Sequence, residues 1–171
     1  AAFHDLTVKT IVFLNPDTPL YKFIHHDFQR LIDVCSHITI YADHRDKALW
    51  YSEFFNRDEN MRQIPTVGRR PFDLLYPTDA SDVSMTRTRT IHAPNQVQRR
   101  NSSSPLDLDV IEVSWMDHNM HRMRHSYFDI NRLMVADLCE LFTTCNRADT
   151  RTALLHRHTN VFSFLNAPRH I

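Results

Sequence analysis

The chain has 171 residues, 42% of them apolar, with 20 basic and 20 acidic side chains and a formal charge of zero: material for one domain, or most of one, with enough apolar residues for a core. The charge balance leaves no field directed at nucleic acid, and no apolar run reaches the 18 or more residues of a membrane span. The single glycine, Gly68, stands against roughly 7% in an average protein and excludes phosphate loops, dinucleotide fingerprints and a G-x-S-x-G nucleophile elbow within the chain.

Thr10-Ile11-Val12-Phe13-Leu14 is a continuous β-branched and apolar run, as in a strand buried on both faces of a parallel sheet. Asn15-Pro16-Asp17 ends it. Thr18 then offers an N-cap with Pro19 at the first helical position, and Leu20, Phe23, Ile24, Phe28, Leu31, Ile32 and Cys35 follow at helical spacing. Residues 37–42 predict the next strand, and Lys47 to Phe55 the next helix, capped by Asp46. This alternation implies a parallel sheet with right-handed crossovers.

From residue 78 to 105 polar residues, arginine and proline dominate without any period, which predicts a disordered insertion that cannot bury enough apolar area to offset its ordering entropy. The last strand is predicted over 108–115, where Asp109, Glu112 and Ser114 interrupt the apolar residues and point to a sheet edge. A helix is predicted from 128 to about 143, with Ile130, Leu133, Met134, Leu138, Leu141 and Phe142 as its core face. Ser126 and Asp129 stand before it in capping-box spacing. The run Val161 to Leu165 is apolar but of open type. Cys35, Cys139 and Cys145 share no metal or disulfide spacing, so they are expected as reduced, buried thiols on helices, with a cytoplasmic setting preferred.

Two strand exits deliver ionisable residues. Asp46 lies four residues beyond the run Ile38 to Ala42, where a carboxylate can hold an imidazole by its Nδ1 proton. The same aspartate is also well placed merely to cap the helix at Lys47, and Asp43 is a competing acid nearer the strand. His125 follows the later strand after a loop and directly precedes the capping serine. Acid before base, each between a strand and a helix, is the order in which α/β-hydrolases present the back two members of a Ser-Asp-His triad. A metal competes for the same loop, because Asp117, His118, His121 and His125 offer imidazole and carboxylate ligands. Their spacing is not that of H-E-x-x-H, and Arg122 and Arg124 would sit beside the cation, so no metal is expected.

Taken together, Asn15-Pro16-Asp17, the run Ile38 to Ala42 followed by Asp46-Lys47-Ala48-Leu49 and Ser52, then Asp109-Val110-Ile111-Glu112-Val113 with His125-Ser126-Tyr127-Phe128 and Ala136-Asp137-Leu138, resemble the esterase/lipase-like α/β-hydrolases of unknown function found in bacteria and fungi. The likeness covers about residues 7 to 76 and 106 to 144. It implies a three-layer α/β-hydrolase sandwich with a mainly parallel sheet, of which residues 1–171 form the C-terminal half. Asp46 is then the triad acid, His125 the base, and the nucleophile lies upstream of Ala1 in the missing N-terminal half. The substrate would be a small-molecule or lipid-like ester, with no cofactor. The alternative is a non-catalytic interaction protein that keeps the fold and is regulated through its insertion.

Overall fold

The computed structural model describes residues 8–74, 106–116, 125 and 131–167. Five strands form one sheet in the order β1-β2-β3-β5-β4. Strand β1 (Val8–Leu14) pairs in parallel with β2 (Cys35–Ala42), from Val8 opposite Cys35 to Leu14 opposite Tyr41. Strand β2 continues in parallel to β3 (Asp109–Glu112), Thr39 facing Asp109 and Ala42 facing Glu112. Strand β5 (Val161–Phe164) adds to the far side of β3 in parallel, and only β4 (Leu154–His158) runs against its neighbour. A mostly parallel sheet of this kind needs both faces covered, and the alternating side chains supply two cores.

On one face Ile38, Ile40, Ala42, Val110 and Val161 pack with Leu20, Phe23 and Phe28. Those three come from the first crossover: α1 (Leu20–Lys22), a π-helical turn (Phe23–Asp27) and α2 (Phe28–Ile32). The Phe28 N–H donates to the Phe23 carbonyl, five residues back, and this wider turn keeps both rings in the core. On the other face Tyr41, Ile111, Phe162 and Phe164 pack with Met134 of helix α4 (Arg132–Thr144). Helix α3 is Lys47–Phe55, with the predicted bounds.

Several expectations are corrected. Strand β3 is neither last nor at an edge: it lies between β2 and β5 with all four residues buried. Its polar residues are tolerated because each has a partner, distant in sequence for Asp109 and local for Glu112. Asp109 receives Arg147 Nε and Nη2 at 3.0 and 2.8 Å and the Ala148 N–H at 2.8 Å, and Glu112 Oε1 accepts the Ser114 N–H at 2.9 Å. The edges are instead β4 and β1; β1 is half-buried, with Ile11 and Phe13 packed on one core and Val12 and Leu14 on the other, so both of its faces are covered as its composition suggested.

Pro19 stands before the first helix in an extended conformation (φ −53°, ψ 126°) rather than inside it, since the Leu20 N–H donates to the Pro65 carbonyl. Helix α4 starts four residues later than expected, where Asn131 Oδ1 accepts from the Leu133 and Met134 N–H groups. Phe142 on that helix is 61% exposed rather than core. Cys35 opens β2, Cys139 is exposed and Cys145 ends α4 in a left-handed conformation; all three are free thiols, but they are not buried on helices. Ser126, Asp129, Ile130 and the insertion at 78–105 lie outside the described residues. No helix among the described residues is long and apolar enough to cross a membrane.

Candidate active site

The carboxyl ends of β1 and β2 build the site. At the end of β1, Asn15 turns into the left-handed region (φ 44°) while its N–H stays paired with the Tyr41 carbonyl. Asparagine tolerates that conformation better than most residues, and it aims the Asn15 side chain across the ends of the strands, where Nδ2 donates to Asp46 Oδ2 at 2.8 Å.

At the end of β2 the chain makes a tight turn. Asp43 Oδ1 accepts the Arg45 N–H at 2.8 Å, and the Asp46 N–H donates to the Asp43 carbonyl. The turn leaves Asp46 extended (φ −60°, ψ 115°) as the N-cap of α3, with Oδ1 accepting the Leu49 N–H at 3.0 Å. The ordinary capping role is therefore real, and it occupies one carboxylate oxygen only.

The other oxygen receives the histidine. His125 Nδ1 lies 2.8 Å from Asp46 Oδ2; the Asp46 side chain is fully buried and that of His125 is 41% exposed. An ionised carboxylate can only accept, so this contact places the imidazole proton on Nδ1 and leaves the Nε2 lone pair outside the bond. The two residues singled out from the sequence, separated by 79 positions, are thus brought into direct contact. Asp43, the competing acid, serves in the turn.

Gly68 supports this arrangement from behind. Its N–H donates to the Pro16 carbonyl at 3.0 Å and its carbonyl accepts from the Asp43 N–H at 2.8 Å, so the 3-10 turn Val67–Arg69 ties the exits of β1 and β2 together. A Cβ at this position would meet the Asn15 carbonyl carbon at 2.6 Å. The one glycine stands where two backbones approach too closely for any other residue.

A second buried acid was not picked out as a site residue in the sequence. Glu112, at the end of β3, is fully buried, with Oε1 on the Ser114 N–H and 3.4 Å from His44 Nδ1, while Oε2 has no hydrogen-bond partner among the described residues. Its place opposite Ala42 in the register puts it at the same sheet edge, but only the three-dimensional pairing reveals this. Of the candidate metal ligands, Asp117, His118 and His121 lie outside the described residues, among which no cluster suited to a metal occurs. Clefts of about 420 and 330 Å³ are lined, respectively, by residues including Arg147 and His156 and by residues including Asp17 and Phe55. Neither includes Asp46 or His125. Comparison with protein-family models, with curated proteins and with solved structures gave no match.

Proposed function

We propose that this chain supplies the acid and the base of a Ser-Asp-His triad in a serine hydrolase acting on carboxylic esters or related acyl bonds, with the nucleophile contributed by residues outside these 171. The observation that carries the proposal is the 2.8 Å contact between a buried carboxylate and Nδ1 of a half-exposed imidazole. It is supported by topology: the acid leaves β2, the base follows β3, and these strands are parallel neighbours. On this reading the five-stranded sheet is the C-terminal part of an α/β-hydrolase domain of the esterase/lipase-like kind, with the β4–β5 hairpin added beyond the histidine strand.

In such a site Asp46 fixes the tautomer and stabilises the imidazolium cation as it forms. His125 Nε2 removes the proton of the serine hydroxyl while its oxygen bonds to the acyl carbon, then returns that proton to the departing alkoxide. Water repeats the sequence on the acyl-enzyme, with His125 taking its proton, and releases the acid and the free serine. Asn15 and the Leu49 N–H hold the carboxylate in place throughout, and no cofactor enters.

The test is hydrolysis of p-nitrophenyl acetate and butyrate by the full-length product of the parent gene, beside His125→Ala and Asp46→Asn. Each variant is expected to lower kcat by about 10⁴-fold, as loss of the base or of the correct tautomer does in serine hydrolases. Activity within tenfold of wild type in either variant, or absent from a folded wild type, would leave Asp46 as a helix cap and favour the interaction protein.

A further inference from the structure

Helix α3 inverts the usual arrangement of a surface helix, whose apolar stripe faces the core. It buries Leu49 and the carboxylate of Glu53, while Trp50, Tyr51, Phe54 and Phe55 remain 43, 47, 37 and 75% exposed. The buried acid is fully engaged: Glu53 Oε1 accepts the Thr66 N–H and hydroxyl, and Oε2 pairs with Arg69.

Outside, the rings are ordered against one another. Trp50 and Phe54 stack with centroids 5.6 Å apart and planes 17° from parallel, Tyr51 meets Trp50 edge-on, and Phe55 meets Phe54 edge-on. The Arg57 guanidinium lies 5.1 Å above the Phe54 ring. In the turn beyond the helix Met61 is also exposed, at 68%, with φ 62°. At about 200 Å² per aromatic side chain, the four rings expose roughly 400 Å², which is the size at which a monomer's largest apolar patch is commonly functional.

Charge selects the occupant. The exposed charge on α3 is the cation Lys47, with Arg45 just before the helix and Arg57 just after it. Both acids of the segment, Asp46 and Glu53, are buried. Asp58 and Glu59 follow in the turn, where Asp58 Oδ1 is taken by the N–H groups of Asn60 and Arg62. The exposed Asp17 accepts from Ser52 Oγ of the helix. A phospholipid surface matches exposed rings accompanied by cations, since Trp and Tyr settle at headgroup level, phenylalanine goes deeper, and the phosphates face Lys and Arg.

We propose that the exposed aromatic face of α3 docks on a phospholipid surface, with Phe55 and Trp50 entering it and Lys47 and Arg57 on its phosphates. The docking involves neither Asp46 nor His125 and stands or falls separately from the proposed hydrolysis.

The experiment is sedimentation of the intact chain with vesicles of phosphatidylcholine, alone or with about one-third phosphatidylserine, in about 0.1 M salt. Binding to both is expected, tighter by about fivefold on the anionic vesicles, with a blue shift of tryptophan emission that Trp50→Phe removes. Phe55→Asp and Trp50→Ser should each weaken binding by about tenfold or more, and Lys47→Glu with Arg57→Glu should abolish the anionic preference. Melting temperatures should stay unchanged because these side chains are exposed. The proposal is overturned if neither vesicle binds, if the Phe55 and Trp50 variants bind like wild type, or if those variants instead dissolve a concentration-dependent dimer or a complex with another protein.

Discussion

Replacing Gly68 with alanine should destabilise the protein by about 2 kcal/mol, and the sign follows from a competition of two effects. The φ of Gly68 is not in the left-handed region, so alanine meets no dihedral penalty and, by stiffening the unfolded chain, would by itself stabilise by about 0.4–1 kcal/mol. Against this, the new Cβ would lie 2.6 Å from the Asn15 carbonyl carbon, 2.7 Å from Leu49 Cδ1 and 2.8 Å from the Pro16 nitrogen. Carbon contacts are comfortable from about 3.5 Å, so the pocket must open by roughly 0.7–0.9 Å. Leu49 can rotate away, but the other two atoms are backbone.

Gly68 itself is held on both sides, by Pro16 and by Asp43. Overpacking of this kind costs about 1–3 kcal/mol, and two immovable neighbours put it at the upper end. A net loss of about 2 kcal/mol lowers Tm by roughly 4–8 °C in a chain of this size. Urea unfolding followed by circular dichroism, with a calorimetric melt, measures both. An unchanged or raised Tm for Gly68→Ala would refute the close approach of the β1 and β2 exits.

Asp46→Asn should cost less than about 1 kcal/mol, because asparagine caps a helix as well as aspartate does, whereas Asp46→Ala should cost about 1–2 kcal/mol or more; equal melts for the two would deny the capping contact. Arg151, Asp137 and Tyr41 form a fully buried cluster in which Arg151 Nη1 meets Asp137 Oδ2 at 3.0 Å and the Tyr41 hydroxyl at 3.2 Å. Burial holds both the Asp137 carboxyl and the Tyr41 hydroxyl above their usual ranges. Arg151→Met alone should cost about 3–5 kcal/mol, while Tyr41→Phe with Asp137→Leu and Arg151→Met should recover most of it; a triple variant no better than the single one would count against desolvation as the cause.

His37, buried with Nε2 3.0 Å from Thr10 Oγ1, has its pKa lowered chiefly by burial, with the Arg147 and Arg151 charges adding and Asp109 and Asp107 opposing. The unfolded chain keeps the ordinary value of about 6.5 and so binds more protons below it. The stabilisation is therefore complete above that pH and is lost as the pH falls through the folded value, at up to about 1.4 kcal/mol per unit. Urea midpoints between pH 7 and pH 5 should fall less steeply for His37→Gln than for wild type, and parallel slopes would remove His37 as the source.

What the sequence disclosed was local. Helix α3 is bounded by a capping aspartate and closes within nine residues, and β2 is a β-branched run ending in a turn, so each carries its own signal. The contact of Asp46 with His125 was legible to the extent that each residue lies beyond a predicted strand, although the pairing of β2 with β3 that sets these strands side by side is not local. The burial of β3 was hidden, since Asp109 and Glu112 mark an exposed edge unless one knows that Arg147 and the turn at Ser114 will reach them. The support of Asp46 by Asn15 was hidden for the same reason, as was the outward aromatic face of α3, where Glu53 takes the place an apolar residue would be expected to fill.

The register of β2 against β3 also governs how the protein folds. Thr39 to Ala42 must find Asp109 to Glu112 across residues 43–108, a closure that is paid before any ladder bond repays it. The unit of β1, the first crossover and β2 forms from nearer neighbours and should assemble earlier. Joining β3 to it is then the slow step. Shortening the span between the two strands by about a third would accelerate that step only about twofold, since closure entropy grows with the logarithm of length. The two residues of the candidate site sit on opposite sides of that closure, so their hydrogen bond exists only in chains that have completed it, and the recovery of whatever depends on it should follow the slowest phase of refolding.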